Sequence, residues 1–273
     1  MTGSYWNLVA PYAVASGIFG LADPRLHWLL EYPENHGGLC MGLIRFDQHS
    51  GLFANTEGVD DLYTQRRAEL LLQLDRADAA VVAFYGKLAQ GMTRGTWLSG
   101  EGSSLRPLDD GGRPLYLPPN ASGSTFFLSL LRGMVVLEVD GDADGVSDEL
   151  RLAHAKPRAW FAEPGATLAV AGAPTSFGGV SFRLERAADG RRITGRVELP
   201  AAVPPKVALR LRLPKSLALA RVTGADDTEL PLRDGETIDL SGRSGSLEFT
   251  AALAPAPPRK PGPNRPGRPG DSR

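Results

Sequence analysis

The feature that most constrains this chain is a change in hydrophobic period near Asp140. Before it, apolar residues recur three and four positions apart, the spacing of a helix with one buried face. After it, segments such as Glu149-Leu150-Arg151-Leu152, Val180-Ser181-Phe182-Arg183-Leu184 and Val207-Ala208-Leu209-Arg210-Leu211-Arg212-Leu213 alternate apolar and polar residues. So do Thr167 to Val170, Ile193 to Val197 and Ser246 to Phe249, and turn residues separate them at sandwich-like intervals. A period of 3.6 and a period of 2 cannot serve one element, so the chain reads as an α + β multidomain protein, helices first and an antiparallel β-sandwich second.

The helices have recognisable ends. Tyr5 to Phe19 is helical with Pro11 bending it. Asp23 is an N-cap before Pro24, and that helix runs to Pro33. A third spans Val59 to Leu74 and a fourth Ala77 to Gln90, joined so tightly that they must form an antiparallel hairpin. Residues 91 to 123, rich in Gly, Pro and Ser, form a loop of the length that usually carries function, and a fifth helix covers Ser124 to Leu137. The predicted domains are 1–140 (helical), 141–253 (sandwich) and 254–273. That last stretch is a Pro, Gly and Arg tail that cannot bury a core, with a local excess of four positive charges from Arg259 onward.

Thirty Lys plus Arg against thirty-one Asp plus Glu leave a net charge of −1, so no global field favours nucleic acid or a membrane surface. The single cysteine, Cys40, excludes an internal disulfide and reads as a small apolar residue. No apolar run reaches the length of a membrane span, and Met1 to Ser4 lacks the basic and apolar regions of a signal peptide. The chain is therefore cytosolic, or its true N-terminus lies upstream and localisation stays open.

Three stretches carry more specific information: Tyr5-Trp6-Asn7-Leu8-Val9 with Pro11-Tyr12-Ala13 and Ser16-Gly17; Gly58-Val59-Asp60-Asp61-Leu62-Tyr63; and Gly91-Met92-Thr93-Arg94-Gly95-Thr96-Trp97-Leu98-Ser99-Gly100-Glu101-Gly102. Together they resemble the closing part of six-hairpin glycosidases, over about residues 4 to 140. The resemblance implies a partial α/α barrel of the six-hairpin type, loops around a sugar-sized pocket, paired carboxylates and a carbohydrate substrate. A whole barrel has twelve helices and five are read here, so a missing N-terminal half, on the same or another polypeptide, is the implied partner.

Glycoside hydrolysis needs a carboxylic acid for the leaving oxygen and a carboxylate to activate water or attack. Glu101, between two glycines in the long loop, is the candidate base, and the Thr, Trp and Glu pattern around it looks like that of several families in the superfamily. Asp60 and Asp61 stand where one caps a helix and one, by the resemblance, hydrogen-bonds sugar hydroxyls. Trp6 beside Asn7, Trp97, and Tyr116 offer flat apolar faces or polar contacts for sugar rings, whereas Trp28 reads as core and Asn120 as a helix cap. The general acid is not identified. Asp140-x-Asp142-x-Asp144-Gly145 matches the start of a calcium loop, but Arg151 stands where the bidentate Glu belongs, so the segment reads as an acidic turn. No metal and no cofactor are expected. Two alternatives remain open: a non-catalytic carbohydrate-binding or scaffolding module, and a carbohydrate phosphorylase.

Overall fold

The computed structural model describes residues 12, 16–46, 57–60, 62, 64–107, 109–112 and 114–256. The helix expected over Tyr5 to Phe19 lies largely outside them, as does most of the basic tail. Helix α1 (Pro24–Asn35) starts as expected, its Asp23 carboxylate accepting from the Arg25 N–H. It includes Pro33, which gives no N–H to the Leu29 carbonyl, and it ends two residues later, where the Gly38 N–H donates to the Pro33 carbonyl at 2.8 Å. Helices α2 (Thr64–Gln73) and α3 (Ala77–Gln90) are joined by Leu74 to Arg76, with Asp75 at a φ of 58° making the reversal. Helix α4 (Ala121–Val135) is capped by the Asn120 side chain. It lies against α2 at Gly133, where an added Cβ would meet Leu72 Cδ1 at 2.8 Å.

The helical half also holds a sheet that periodicity did not reveal. Strands β1 (Leu39–Cys40), β2 (Leu43–Phe46), β3 (Gly58–Asp60), β4 (Gly102–Ser104) and β5 (Leu115–Tyr116) form one antiparallel sheet in that order. Two expectations change here. Val59 and Asp60 belong to a strand instead of the start of α2, and the loop 91–123 contains two strands. Met41 and Gly42, both at positive φ, make the two-residue turn between β1 and β2. That turn presses on α3 so closely that a Cβ on Gly86 would stand 2.0 Å from the Met41 carbonyl.

Helix α4 runs directly into β6 (Val136–Val139), two residues short of the expected helix end at Leu137. Beyond lie β7 (Glu149–Leu152), a 3₁₀ turn at Arg158–Phe161, β8 (Thr167–Thr175), β9 (Gly178–Arg186), β10 (Arg192–Leu199), β11 (Lys206–Arg210), β12 (Leu217–Gly224), β13 (Leu232–Arg233), β14 (Thr237–Asp239) and β15 (Gly245–Pro255). They form two five-stranded sheets, in the orders β12-β15-β10-β9-β8 and β13-β14-β11-β7-β6. The first is antiparallel throughout. The second departs from the expected pattern at one place, the parallel pairing of β7 with β11. Val180, Phe182, Leu184, Ile193, Val197 and Phe249 meet Leu150, Leu152, Val207, Leu209 and Ile238 in a shared core. Gly195, directly opposite Phe249, leaves room for that ring.

The helices and the small sheet bury a second core built on Leu26, Leu43, Val59, Leu71, Phe84, Phe126 and Leu130. Trp160 packs partly against both cores. Leu137 and Val139 of β6 and Ala155 also belong to that second core, and polar bonds frame the rest of the seam. Arg151 donates to the Gln73 carbonyl at 3.0 Å, Gln73 to the Glu138 carbonyl at 3.1 Å and Arg210 to Asp75 at 2.5 Å, while Arg212 holds Asp78. Among the described residues no helix is long and apolar enough to cross a membrane.

Lys156 lies fully buried behind this seam, donating to the Arg212 carbonyl at 3.1 Å with its ammonium 4.2 Å from the Phe161 ring centroid. Burial, then the charges of Arg212 and Arg158, push its pKa down from 10.5 to about 7. Between those two values the unfolded chain holds a proton that the folded chain has released, so stability rises with pH across that window. The rise should approach the order of 4 kcal/mol, at 1.36 kcal/mol per pKa unit. Urea denaturation from pH 7 to pH 10 should show this increase, and Lys156→Met should flatten it.

Candidate active site

Register across the small sheet brings distant residues into one row. Asp60 on β3 stands opposite Gly102 on β4, and Gly102 opposite Tyr116 on β5. Directly opposed residues project to the same face, so Asp60 and Tyr116 flank the position where Gly102 has no side chain. Asp60 is buried, Tyr116 exposed. Glu101, half-buried, immediately precedes Gly102 and donates its N–H to the Tyr116 carbonyl at 2.8 Å. From one Cα–Cα step plus one rung, its Cα lies within about 9 Å of that of Asp60. Gly100 is required beside it, since a Cβ there would come within 2.8 Å of the carbonyls of both Gly102 and Tyr116.

The loop N-terminal to Glu101 is a small hairpin. Met92 and Ser99 form a bridge, and the Thr93 N–H donates to the Leu98 carbonyl at 2.9 Å. Thr93 Oγ1 accepts from the Leu98 N–H at 2.8 Å. The Trp97 N–H donates to the Thr93 carbonyl at 3.1 Å, which holds Trp97 at a φ of 55°, a region costly for a bulky residue. Its indole is 56% exposed, a large apolar face left to solvent. A cleft of about 360 Å³ opens beside the hairpin, lined by Gln90, Met92, Thr93, Arg94, Gly111 and Leu115. Trp28, read as core, is instead 66% exposed on α1, because the stripe that α1 buries is Leu26, Leu30 and Pro33.

Beneath this loop lies a buried charge. Lys87 on α3 is fully buried and donates to Ser99 Oγ at 2.6 Å, 5.8 Å from the Phe126 ring centroid. Ser99 Oγ also donates to the Gly100 carbonyl at 3.0 Å, and the Ser99 carbonyl accepts from the Asn120 N–H at 2.8 Å. The C-terminal half of α3, the N-terminus of α4 and the residues before Glu101 are thus tied together.

Arg66, which the sequence reading did not single out, stands by Tyr12, whose hydroxyl is within reach of the Asp60 charge. The Arg66 guanidinium lies 5.7 Å from the Tyr12 ring centroid. The Tyr12 hydroxyl has a raised pKa, chiefly through burial, with Arg66 opposing and Asp60 and Glu69 adding to the rise. Trp6, Asn7 and Asp61 lie outside the described residues.

Asp140, Asp142 and Asp148 are the described residues whose carboxylates could share a cation, with oxygens all within 4.8 Å of one another. Each is also engaged with backbone N–H groups: Asp140 with Ala143 and Gly145, Asp142 with Asp144, and Asp148 with Gly141. Those bonds are what an acidic turn uses to close itself. Arg151 pairs with Glu149 and contributes no ligand oxygen.

No family model matches the chain, and no curated protein does. Among solved structures it is similar to a GH127 beta-arabinofuranosidase, with a TM-score of 0.38 and 12% identity over 80% of this chain and 38% of that one. A GH127 beta-L-arabinofuranosidase from Geobacillus Stearothermophilus T6 gives 0.35 and 14% over 72% and 32%. An alpha-L-rhamnosidase from Dictyoglumus thermophilum gives 0.29 and 14% over 52% and 15%. The chain therefore spans well under half the length of each, and likeness at these scores carries no assignment of activity.

The packing at Ser99 makes a prediction. A Cβ on Gly123 would stand 2.2 Å from Ser99 Oγ and 2.5 Å from the Gly100 carbonyl. Gly123→Ala, although better for helix propensity, should lower stability by about 1–3 kcal/mol, the usual cost of overpacking. The midpoint of urea unfolding measures it.

Proposed function

We propose that the chain is a glycoside hydrolase-like protein acting on an oligo- or polysaccharide through carboxylate chemistry, with its helices forming part of an α/α barrel. The observation that carries this reading is the row Asp60, Gly102, Tyr116 with Glu101 anchored at its end. It combines one strand carboxylate, Asp60, with a second, Glu101, in the residue just before the paired strand, and adds an aromatic face and a glycine position without a side chain. That combination suits a ring with hydroxyl edges and apolar faces.

In this reading Glu101 is the base that takes a proton from the attacking water, and its fixed backbone supplies the positioning such a step needs. Asp60 accepts from sugar hydroxyls, with Asp61 beside it. Trp97 and Tyr116 stack on or border the ring, and Trp6 and Asn7 complete the contacts on the strength of the sequence pattern. The acid that protonates the leaving oxygen is not assigned to any residue of this chain, and the other half of the barrel would supply it.

Turnover of a panel of aryl glycosides and oligosaccharides by the chain joined to the rest of the barrel tests the reading, together with quenching of tryptophan fluorescence by the sugars that bind. Glu101→Gln should retain sugar binding and cut turnover at least 100-fold, the usual contribution of a positioned acid or base. Trp97→Ala and Asp60→Asn should weaken binding. Unchanged turnover in Glu101→Gln would overturn the assignment.

A further inference from the structure

The seam between the halves opens into a second cleft, of about 340 Å³, lined by Asp75, Arg76, Asp78, Arg158, Arg210 and Arg212 with Ala77 and Ala79. It lies at the N-terminus of α3, whereas the Glu101 loop lies beyond that helix's other end. Fourteen residues at 1.5 Å each put the two about 20 Å apart. The cleft is therefore separate from the proposed sugar site.

Four guanidinium groups and two carboxylates line this cleft, and Glu34 and Glu236 pair with three of the four guanidinium groups. Arg76 bonds Glu34 at 2.8 Å. Arg158 bonds Glu236 and the Leu213 carbonyl, both at 2.7 Å. Arg210 bonds Glu236 at 2.8 Å and Asp75 at 2.5 Å. Arg212 is 2% exposed and holds Asp78 through Nη2, while its Nε and Nη1 are buried without a hydrogen-bond partner, as is Nε of Arg158. A buried guanidinium left with open donors costs free energy and normally finds an acceptor.

The helix end adds donors of its own. Residue Arg76 occupies the N-cap of α3, and no side chain caps the helix there. The N–H groups of Ala77 and Asp78 stand at the first two helical positions, where the helix itself offers no acceptor. They sit at the positive end of a 14-residue helix. Burial, with the nearby guanidinium charges adding to it, lowers the pKa of two neighbours. Burial, then Arg151, with Asp75 opposing and Arg210 and Arg212 adding, pushes His154 down to about 4. Lys156, under Arg212 and Arg158, is pushed down by burial and by those two charges.

We propose that this cleft binds a phosphate group, held by the N-terminus of α3 together with Arg76, Arg158 and Arg212. Donors converge from three elements, the α3 turn, the 3₁₀ turn and the end of β11, which suits a tetrahedral oxyanion with three acceptor oxygens. Asp78 is the competitor: its side chain is 76% exposed, so it can swing away from Arg212 and let the anion take its place. The bound anion would then fasten the helical half to the sandwich.

The test uses the full chain and inorganic phosphate, read as a thermal shift and by phosphorus NMR line broadening, with chloride at matched ionic strength as reference. Phosphate should raise the melting temperature saturably where chloride does not. Arg76→Gln, at a partly exposed position, should weaken binding roughly tenfold, as expected for one charge-assisted hydrogen bond. Asp78→Asn, which removes the competing charge, should tighten it. A hexose phosphate that binds more tightly than inorganic phosphate identifies the ligand as a phosphate ester, and the reverse identifies the free ion. Equal shifts by phosphate and chloride would overturn the proposal and leave the arginines as an internal clasp. Phosphate affinity unchanged in both variants would place the anion elsewhere and overturn it too.

Discussion

The fold depends on burying Arg212 against the first turn of α3. The sandwich and the helical half each close an apolar core, and Leu137, Val139, Ala155 and Trp160 carry apolar contact from the sandwich side into the helical core. Directional bonds add an angle to that packing: Arg212 to Asp78, Arg210 to Asp75, Arg151 to the carbonyl end of α2, and Trp160 Nε1 to the Tyr85 hydroxyl at 3.3 Å. A seam made this way is specific in angle and weak in net energy, since each charge gives up water to gain its partner. Continuity of the chain from α4 into β6 supplies the remaining constraint, because Val135 and Val136 are consecutive and no linker intervenes.

The same helix, α3, serves both ends of the helical half. Its N-terminal turn receives the sandwich arginines, and near its C-terminus Lys87 reaches Ser99 and holds the Glu101 loop. Gly86 lets the β1–β2 turn sit on its middle. A loop with this much Gly and Pro would otherwise be free to move, and ordering it costs about 1–2 kcal/mol per residue in backbone entropy. Lys87, Asn120 and the bond from Glu101 to Tyr116 supply the fixed points that offset this cost.

The parts of the fold legible in sequence are those with a long enough period. Strands β9 and β10 alternate over nine and eight residues, and the caps at Asp23 and Asn120 are local signals. The five strands of the small sheet are two to four residues long, too short to show any period, and Gly58-Val59-Asp60 before a helical run reads as that helix's start. The row joining Asp60 to Gly102 and Tyr116 depends on pairing across more than forty positions, which no local pattern encodes. Strand β12 escaped notice because its burial is partial along nearly its whole length.

Arg210 and Arg212 show most directly why a polar position in an alternating strand is ambiguous. In Val207 to Leu213 the alternation puts both arginines on the face away from the sandwich core, and that is where they are. Sequence alone equates that face with solvent. Here the outer face of the sheet meets the α2–α3 turn, and the chain leaves the strand with Arg212 at a φ of 37°. Period 2 thus assigns a residue to a side of its own sheet and says nothing of what stands on that side. Arginine suits both outcomes, since its long stem packs while its fork finds carboxylates or waits for them. The charge pattern that looked like a solvated strand is the contact on which the two halves are hung.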